Sequence, residues 1–579
     1  MTTARVVLER GVAVPMRDGV VLRADVYRPD DADTHPVLVT RTPYDATMPF
    51  NAFSALDGPT MATRGYAVVI QDVRGRFASE GDYETYVAEA EDGYDTVQWA
   101  AEQSWSDGNV GMFGISYMAQ CQLLAASKHP PALKAIAPIQ SPDSTTGGDR
   151  YRSGAMSLGV LASWAVGAIV PAEVLRRAQK DPNLLAEFPR AIDDLDNLDE
   201  YMGRLPLVPF PPIDERAGGI SPQFDMSVRY QFHPPIRRFK PSDIGVPALV
   251  MAGWHDLFLQ PDLDLYTSLK EIAATDDARR LTRLVVGPWS HGMFNPTVGE
   301  VDMGFRASSL MLDLRENMTK LQQRWFDARL RGKDSRIDAE PPVRIFVMGV
   351  NRWRDEQAWP PPGATAQKWH LHGGPARDSG GLGEPGPAES EPSEFRLDPD
   401  DPVPTHGGAL LMAAKYIRGP VDQARTEARP DVLLFTSERL SQPLQVIGRV
   451  TLVAWVASQT ADTDVVARLC DVHPDGRSYN LMDGILRLRF REGLDQEKLL
   501  TPGEVYRVEV DLWSTAHVFL AGHRLRLQVC ASDFPRYDRN PGTGQTSADV
   551  DRVLPQSNLL FHDPSRPSHL VLPVVADQA

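Results

Sequence analysis

Cysteine is scarce in this chain: Cys121, Cys470 and Cys530 are the three among 579 residues, far apart and with no C-x-x-C spacing. That excludes thiol-based zinc or redox work, and the three read as small buried residues. Positive charge is also in short supply, with 60 basic against 77 acidic residues and a net charge of −17. An acidic surface without a basic cluster argues against nucleic acid and against an anionic membrane as partners. The first ten residues, Met1 to Arg10, carry charges where a secretory peptide needs an apolar core, so nothing marks the chain for export and a cytoplasmic location is expected. One uncharged run, Gly154 to Ala172, is nearly long enough to span a bilayer. It is interrupted by glycine, serine and Pro171 and lies mid-chain between polar segments, which predicts a buried helix pair instead. There is no internal repeat.

What the chain does have is room for several cores: its length suggests about three to four domains, and 42% of its residues are apolar. Its most informative stretch is Asn109-Val-Gly-Met-Phe-Gly-Ile-Ser-Tyr-Met118, where an apolar run ends on Gly114-Ile115-Ser116 and a helical pattern begins. A serine on a tight strand-to-helix corner has the geometry of a nucleophile elbow. The glycine usual two places after such a serine is Met118 here, followed by Ala119.

The first part of the chain reads as a β-hairpin turning at Asp18-Gly19, then buried-strand candidates at Val37 to Thr40, Tyr66 to Gln71, Val110 to Phe113, Leu133 to Ala137, Ala248 to Ala252 and Arg283 to Val286. Helical stretches lie between several of them, notably Glu89 to Gln103 and Ser116 to Lys128. Such alternation predicts a mostly parallel sheet covered on both faces. From about Ser141 to Pro241 the strand signals stop and amphipathic patterns appear at Ala172 to Gln179 and Ile192 to Tyr201, ending in a proline-rich tract, as expected of a helical cap. After about residue 340 strands dominate, for example Val343 to Met348, Gln445 to Trp455 and Arg524 to Val529, which predicts a β-sandwich of jelly-roll type. Gly373 to Glu394, rich in Gly, Pro, Ser and Glu, reads as a mobile surface loop. The expected division is 1–140 and 242–345 for the two parts of an α/β-hydrolase domain, 141–241 for the cap and 346–579 for the jelly roll.

A serine hydroxyl needs a base, and the base needs a carboxylate to orient it. In doubly wound hydrolases these follow in the order Ser, Asp, His at strand ends. Ala248-Leu-Val-Met-Ala-Gly-Trp-His-Asp256 ends on Asp256, and Arg283-Leu-Val-Val-Gly-Pro-Trp-Ser-His291 ends on His291. Ser116, Asp256 and His291 are therefore the candidate catalytic residues. His255 is the rival base, although its side chain should point away from that of Asp256. One oxyanion donor should be the Tyr117 amide, directly after the nucleophile. The loop Arg41-Thr-Pro-Tyr44-Asp45 has no Gly-Gly run, so the Tyr44 phenol is the expected second donor. Arg74 reads as a structural ion-pair residue.

With these residues in view, the chain resembles the bacterial cocaine esterase group within the larger family of Xaa-Pro dipeptidyl peptidases and α-amino-acid ester hydrolases. The resemblance is carried by Pro15-Met-Arg-Asp-Gly-Val20, Arg41-Thr-Pro-Tyr-Asp45, Gln71-Asp-Val-Arg-Gly75, Ala78-Ser-Glu-Gly81, Asp107 to Tyr117, Gly253-Trp254 with Asp256, Gly287-Pro-Trp-Ser-His291 and Asp471-Val-His-Pro-Asp-Gly476, and so spans the chain. It implies an α/β-hydrolase domain with a helical cap and a C-terminal jelly roll, the same triad, and Tyr44 with the Tyr117 amide as oxyanion hole. It also implies an acyl pocket at Trp164, Phe258, Leu411 and Met412, whose apolar walls suit a bulky or aromatic acyl group. Departures lie at Ala119, where the family has glycine, at Ser54-Ala55-Leu56, where a pocket glutamine is not evident, and in Tyr151 to Ala155, which lacks a cap tryptophan.

The expected reaction is two-step acyl transfer on a small-molecule ester, with no metal or organic cofactor and with a homodimer as an open assembly. An amidase or peptidase acting on Xaa-Pro or β-lactam side chains is the alternative, because Asp193 to Glu200 is acidic enough to meet a free amino group. A non-catalytic jelly-roll binding protein is the alternative of another class.

Overall fold

The computed structural model describes residues 5–53, 55–142, 150–216, 229, 239–374 and 376–576. Ser54 and the prolines Pro222, Pro234 and Pro235 of the expected cap boundary lie outside them.

Ten strands form the first sheet: β1 (Val6–Pro15), β2 (Val21–Pro29), β3 (His35–Thr42), β4 (Ala67–Asp72), β5 (Ser106–Ile115), β6 (Leu133–Ile139), β7 (Leu249–His255), β8 (Arg283–Ser290), β9 (Val343–Val347) and β10 (Arg352–Glu356). Their order across the sheet is β1-β2-β4-β3-β5-β6-β7-β8-β9-β10. Neighbours from β4 to β9 are parallel, and the antiparallel pairs β1/β2, β2/β4 and β9/β10 finish the two edges. The central strands are apolar on both faces because both are covered. In β3, Val37 and Val39 enter one core while Leu38 enters the other, against Trp325 and Phe326 of the helix Met318–Leu330. Alternate side chains of a strand leave on opposite sides, so one short apolar run serves two cores. This is an α/β-hydrolase sheet.

Two expectations change here. Val343 to Met348 does not begin the jelly roll: β9 lies parallel to β8 in the first sheet, with Leu284 opposite Val343, and β10 folds back on it. The expected boundary at 345/346 therefore falls inside a strand of the first sheet, and the second sheet begins at Ala364–His372. The Gly373 to Glu394 stretch also contains a strand, Gly380–Gly383, paired parallel with Leu433–Ser437.

The second sheet has twelve strands, dominated by the long antiparallel pair Leu444–Ser458 and Val505–Phe519, around a separate core that includes Val450, Leu452, Leu469 and Leu527. It is the C-terminal jelly-roll domain. Between β6 and β7 the cap opens with a short hairpin, Tyr151–Arg152 with Ala155–Met156. Instead of a helix pair, one helical run then extends from Leu158 to Ala178, interrupted by a π-turn at Ala165–Ile169. It is long and apolar enough to cross a membrane, yet 56% of its most apolar window is buried inside the protein. The expected helix over Ile192 to Tyr201 is broken at Asn197 into Glu187–Asp196 and Leu198–Gly203. A buried ion pair, Arg152 Nη1 to Asp483 Oδ1 at 2.7 Å, ties the cap hairpin to the jelly roll.

Candidate active site

Ser116, Asp256 and His291 each follow the last residue of a parallel strand, at the C-terminal ends of β5, β7 and β8. Ser116 has φ 59° and ψ −122°, a sparsely populated conformation that turns β5 abruptly into the helix Tyr117–Ala126. The corner closes because Gly114, at φ 141°, has no side chain: a Cβ there would lie 2.5 Å from Met118 Cβ and 2.9 Å from Thr40 Oγ1. Met118 thus occupies the space that a residue at 114 would need. Ala119 is fully buried, and its amide donates to the Ser116 carbonyl at 2.9 Å, so the elbow forms with that methyl in place.

From Ser116 Oγ the distance to His291 Nε2 is 3.0 Å, and from His291 Nδ1 to Asp256 Oδ2 it is 2.7 Å. Asp256 is fully buried, and its second oxygen accepts from the Phe258 amide at 2.7 Å. Nearby Asp262, buried with Oδ1 accepting from the Ser141 amide, is pushed well above the usual carboxylate range by burial and by the Asp256 charge. Where two buried carboxyls interact, one stays protonated so that the other can hold its charge. The Phe258 ring meets the His291 imidazole edge-on at 5.3 Å. His255, the rival base, is buried, driven down to about 3 by burial and therefore neutral, and has no bond to Ser116.

Tyr117 supplies the first amide of its helix, which has no intrahelical acceptor. The Tyr44 phenol accepts from Trp164 Nε1 at 3.0 Å, and burial pushes it up to about 12, so it keeps its proton for donation. Its loop is fixed from several sides: the Tyr44 amide donates to Thr42 Oγ1, the Ala46 amide to Asp72 Oδ1, and Arg76 Nε to the Pro43 carbonyl. Arg76 also reaches the carbonyls of Ala168 and Ile169, in the π-turn of the cap helix. One buried guanidinium therefore joins the Tyr44 loop to the helix that carries Trp164.

Ser116 opens into a cleft lined by Tyr44, Val160, Trp164, Phe258 and Leu411, with Arg150 at its side. Met412 is not among its walls: it turns into the cap core, where a Cβ on Gly159 would lie 2.5 Å from Met412 Cε. The chain bends at Met412, so Leu411 faces the cleft while Met412 turns away from it. A larger cavity, about 440 Å³, lies away from Ser116, between Arg152, Gln260, Arg449, Asp511 and Trp513.

Against known proteins, residues 18–293 match the model of the X-Pro dipeptidyl-peptidase (S15) family, and residues 335–571 match the X-Pro dipeptidyl-peptidase C-terminal non-catalytic domain. The chain is 37% identical over 584 residues to the cocaine esterase of Rhodococcus sp. (strain MB1 Bresler), covering 97% of this chain and 98% of that protein. The chain belongs to the S15 family. Within this family it is a cocaine esterase-like serine hydrolase that acts on small-molecule esters. The fold is shared with an aminopeptidase from a marine sediment thaumarchaeon (TM-score 0.79, 23% identity, 99% of this chain and 97% of that one). It is shared too with an α-amino acid ester hydrolase (TM-score 0.74, 24% identity, 99% and 97%).

Placed in this family fold, several supporting residues carry no sequence signal of their own. Gln140, one residue past β6 at φ 49°, accepts from the Gly292 amide at 2.8 Å and donates to the Ser290 carbonyl at 3.1 Å, bracketing His291 from both sides. Arg418, from the second half of the chain, donates to the His291 carbonyl at 3.2 Å. Only the polarity of Gln140 at the end of an apolar strand could have drawn notice. Arg74 is held by Asp92 at 2.6 Å and by Asp18 at 2.8 Å.

Proposed function

We propose that Ser116, His291 and Asp256 act as a catalytic triad on carboxylic esters with a bulky or aromatic acyl group. The observation that carries this is the unbroken chain from Ser116 Oγ through His291 to buried Asp256, opening into a cleft walled by Trp164, Phe258 and Leu411. His291 takes the serine proton as Ser116 attacks the ester carbonyl, and Asp256 holds the imidazole in the needed tautomer and stabilises its positive charge. The tetrahedral oxyanion is met by the Tyr117 amide and the Tyr44 hydroxyl. His291 then gives its proton to the departing alcohol, and water activated by the same imidazole releases the acid from Ser116.

The acidic cap residues support an ester over an amino-terminal peptide. Asp194 is engaged by Arg216 and by the Tyr201 hydroxyl, and Asp199 by Lys415 and the Tyr416 hydroxyl. Neither lines the Ser116 cleft, and so neither waits there for a substrate ammonium. Comparing kcat/KM for p-nitrophenyl benzoate with that for an Xaa-Pro p-nitroanilide tests the reading. The ester should turn over faster; a faster anilide would replace it with the peptidase reading.

A further inference from the structure

At one end of the jelly roll, two strands and two turns bring together groups that transition metals favour. Asp471 lies near the end of the strand Asp464–Val472, His473 just beyond it, His517 on Val505–Phe519, and His523 in the turn before Arg524–Cys530. Asp471 Oδ1 is 2.8 Å from His523 Nδ1, and Oδ2 is 3.7 Å from His473 Nε2. One donor atom from each of Asp471, His473 and His523 lies within 4.8 Å of the others, and the two imidazole rings are 4.5 Å apart. Asp471 and His523 are buried, whereas the His473 side chain is 33% exposed and leaves a way in from solvent.

Tetrahedral zinc, with bonds of about 2.0 to 2.2 Å, sets neighbouring donors roughly 3.3 Å apart. The separations of 2.8 Å to Oδ1 and 3.7 Å to Oδ2 fall on either side of that value, and one donor from each residue already lies within 4.8 Å of the others, so an ion would draw the three together by adjusting the Asp471 carboxylate and the His473 turn. A fourth residue has the position of an outer-shell support. His517 Nε2 donates to Asp471 Oδ2 at 3.1 Å, and its buried Nδ1 has no hydrogen-bond partner among the described residues. The neighbouring cation Arg477 is turned towards Asp475 and the Tyr479 hydroxyl.

We propose that Asp471, His473 and His523 bind one divalent transition metal of the zinc class, with His517 holding the Asp471 carboxylate in place and water completing the coordination. Two imidazoles and one carboxylate suit zinc, copper or nickel, whereas calcium and magnesium call for an all-oxygen shell. As His523 Nδ1 becomes a ligand, the proton that bonds Asp471 in the metal-free site is replaced by one on Nε2, so the ring changes tautomer and stays a neutral imidazole. The ion cross-links the turn after Val472 to the turn before Arg524, and stabilises the jelly roll by binding the folded state alone.

The untagged full chain, stripped with a chelator, is titrated with cobalt(II) and then with zinc. The expected result is one equivalent bound, a visible absorption spectrum of tetrahedral cobalt displaced by zinc, and a melting temperature that rises with zinc concentration. His473→Ala, at a partly exposed turn, should weaken cobalt binding by at least about tenfold, and His517→Phe, which fills the space without a donor, by about 10- to 100-fold through loss of the support behind Asp471. Should either variant misfold, His523→Gln gives the same reading. Absence of the cobalt spectrum and of the zinc-dependent shift in the wild-type chain, or binding by folded His473→Ala as tight as wild type, overturns the proposal.

Discussion

Two aspartates in this chain hold a histidine at nearly the same distance, Asp256 with His291 at 2.7 Å and Asp471 with His523 at 2.8 Å, and they sit in regions built for different work. In the hydrolase sheet the imidazole's other nitrogen faces Ser116 Oγ, raised on a corner that only Gly114 allows. In the jelly roll the aspartate gathers two further histidines and, among the described residues, no nucleophile is bonded to them. An Asp–His pair is therefore a general device for fixing an imidazole. On the proposed reading, what sets the Asp256 pair apart is the strained serine at a parallel strand end, with the Tyr117 amide next to it and Tyr44 in the same cleft.

The sharpest way to break the comparison is to remove the nucleophile. Ser116→Ala should lower kcat on a nitrophenyl ester by about 10⁶-fold, leaving only the residual catalysis of binding and the oxyanion donors. Asp256→Asn should cost about 10⁴-fold in kcat by favouring the wrong imidazole tautomer, with little change in melting temperature. Its counterpart, Asp471→Asn, should reveal itself instead in a lower melting temperature and weaker cobalt binding. Tyr44→Phe should lower kcat by about 100- to 1000-fold with KM nearly unchanged, since the phenol acts on the developing oxyanion rather than on bound ester. A KM effect alone would make Tyr44 a wall of the cleft.

The smallest effect concerns the loop that carries Tyr44. Burial pushes the Asp72 carboxyl, which accepts from the Ala46 amide, up to about 7. The native state then holds a proton that the unfolded chain gives up near pH 4, so this group makes stability fall as pH rises from about 4 through 7. Asp72→Asn keeps an acceptor for Ala46 but cannot ionise. Thermal melts across that range should show a shallower decline for the variant than for wild type; identical slopes would remove Asp72 from the account.

Much of this was legible because chemistry in such a fold sits at strand ends, and apolar runs ending on Ser116, Asp256 and His291 are visible in the residues themselves. Patterns that describe an element without its partners were not enough. Val343 to Met348 is a short apolar strand like those that follow it, but its partner is β8, and only the paired backbone says so. Leu411 and Met412 are equally apolar, and the irregular path of that segment decides which one meets the cleft. Gln140, Arg76 and Arg418 act through backbone carbonyls and amides distant in sequence, and no spacing rule reports such contacts.

Fluorophosphonate labelling of the folded chain, followed by mass mapping of its peptides, tests the central claim most directly. The label should sit on Ser116 at one equivalent and be absent from Ser116→Ala; a label on another serine, or undiminished labelling of the variant, would contradict it.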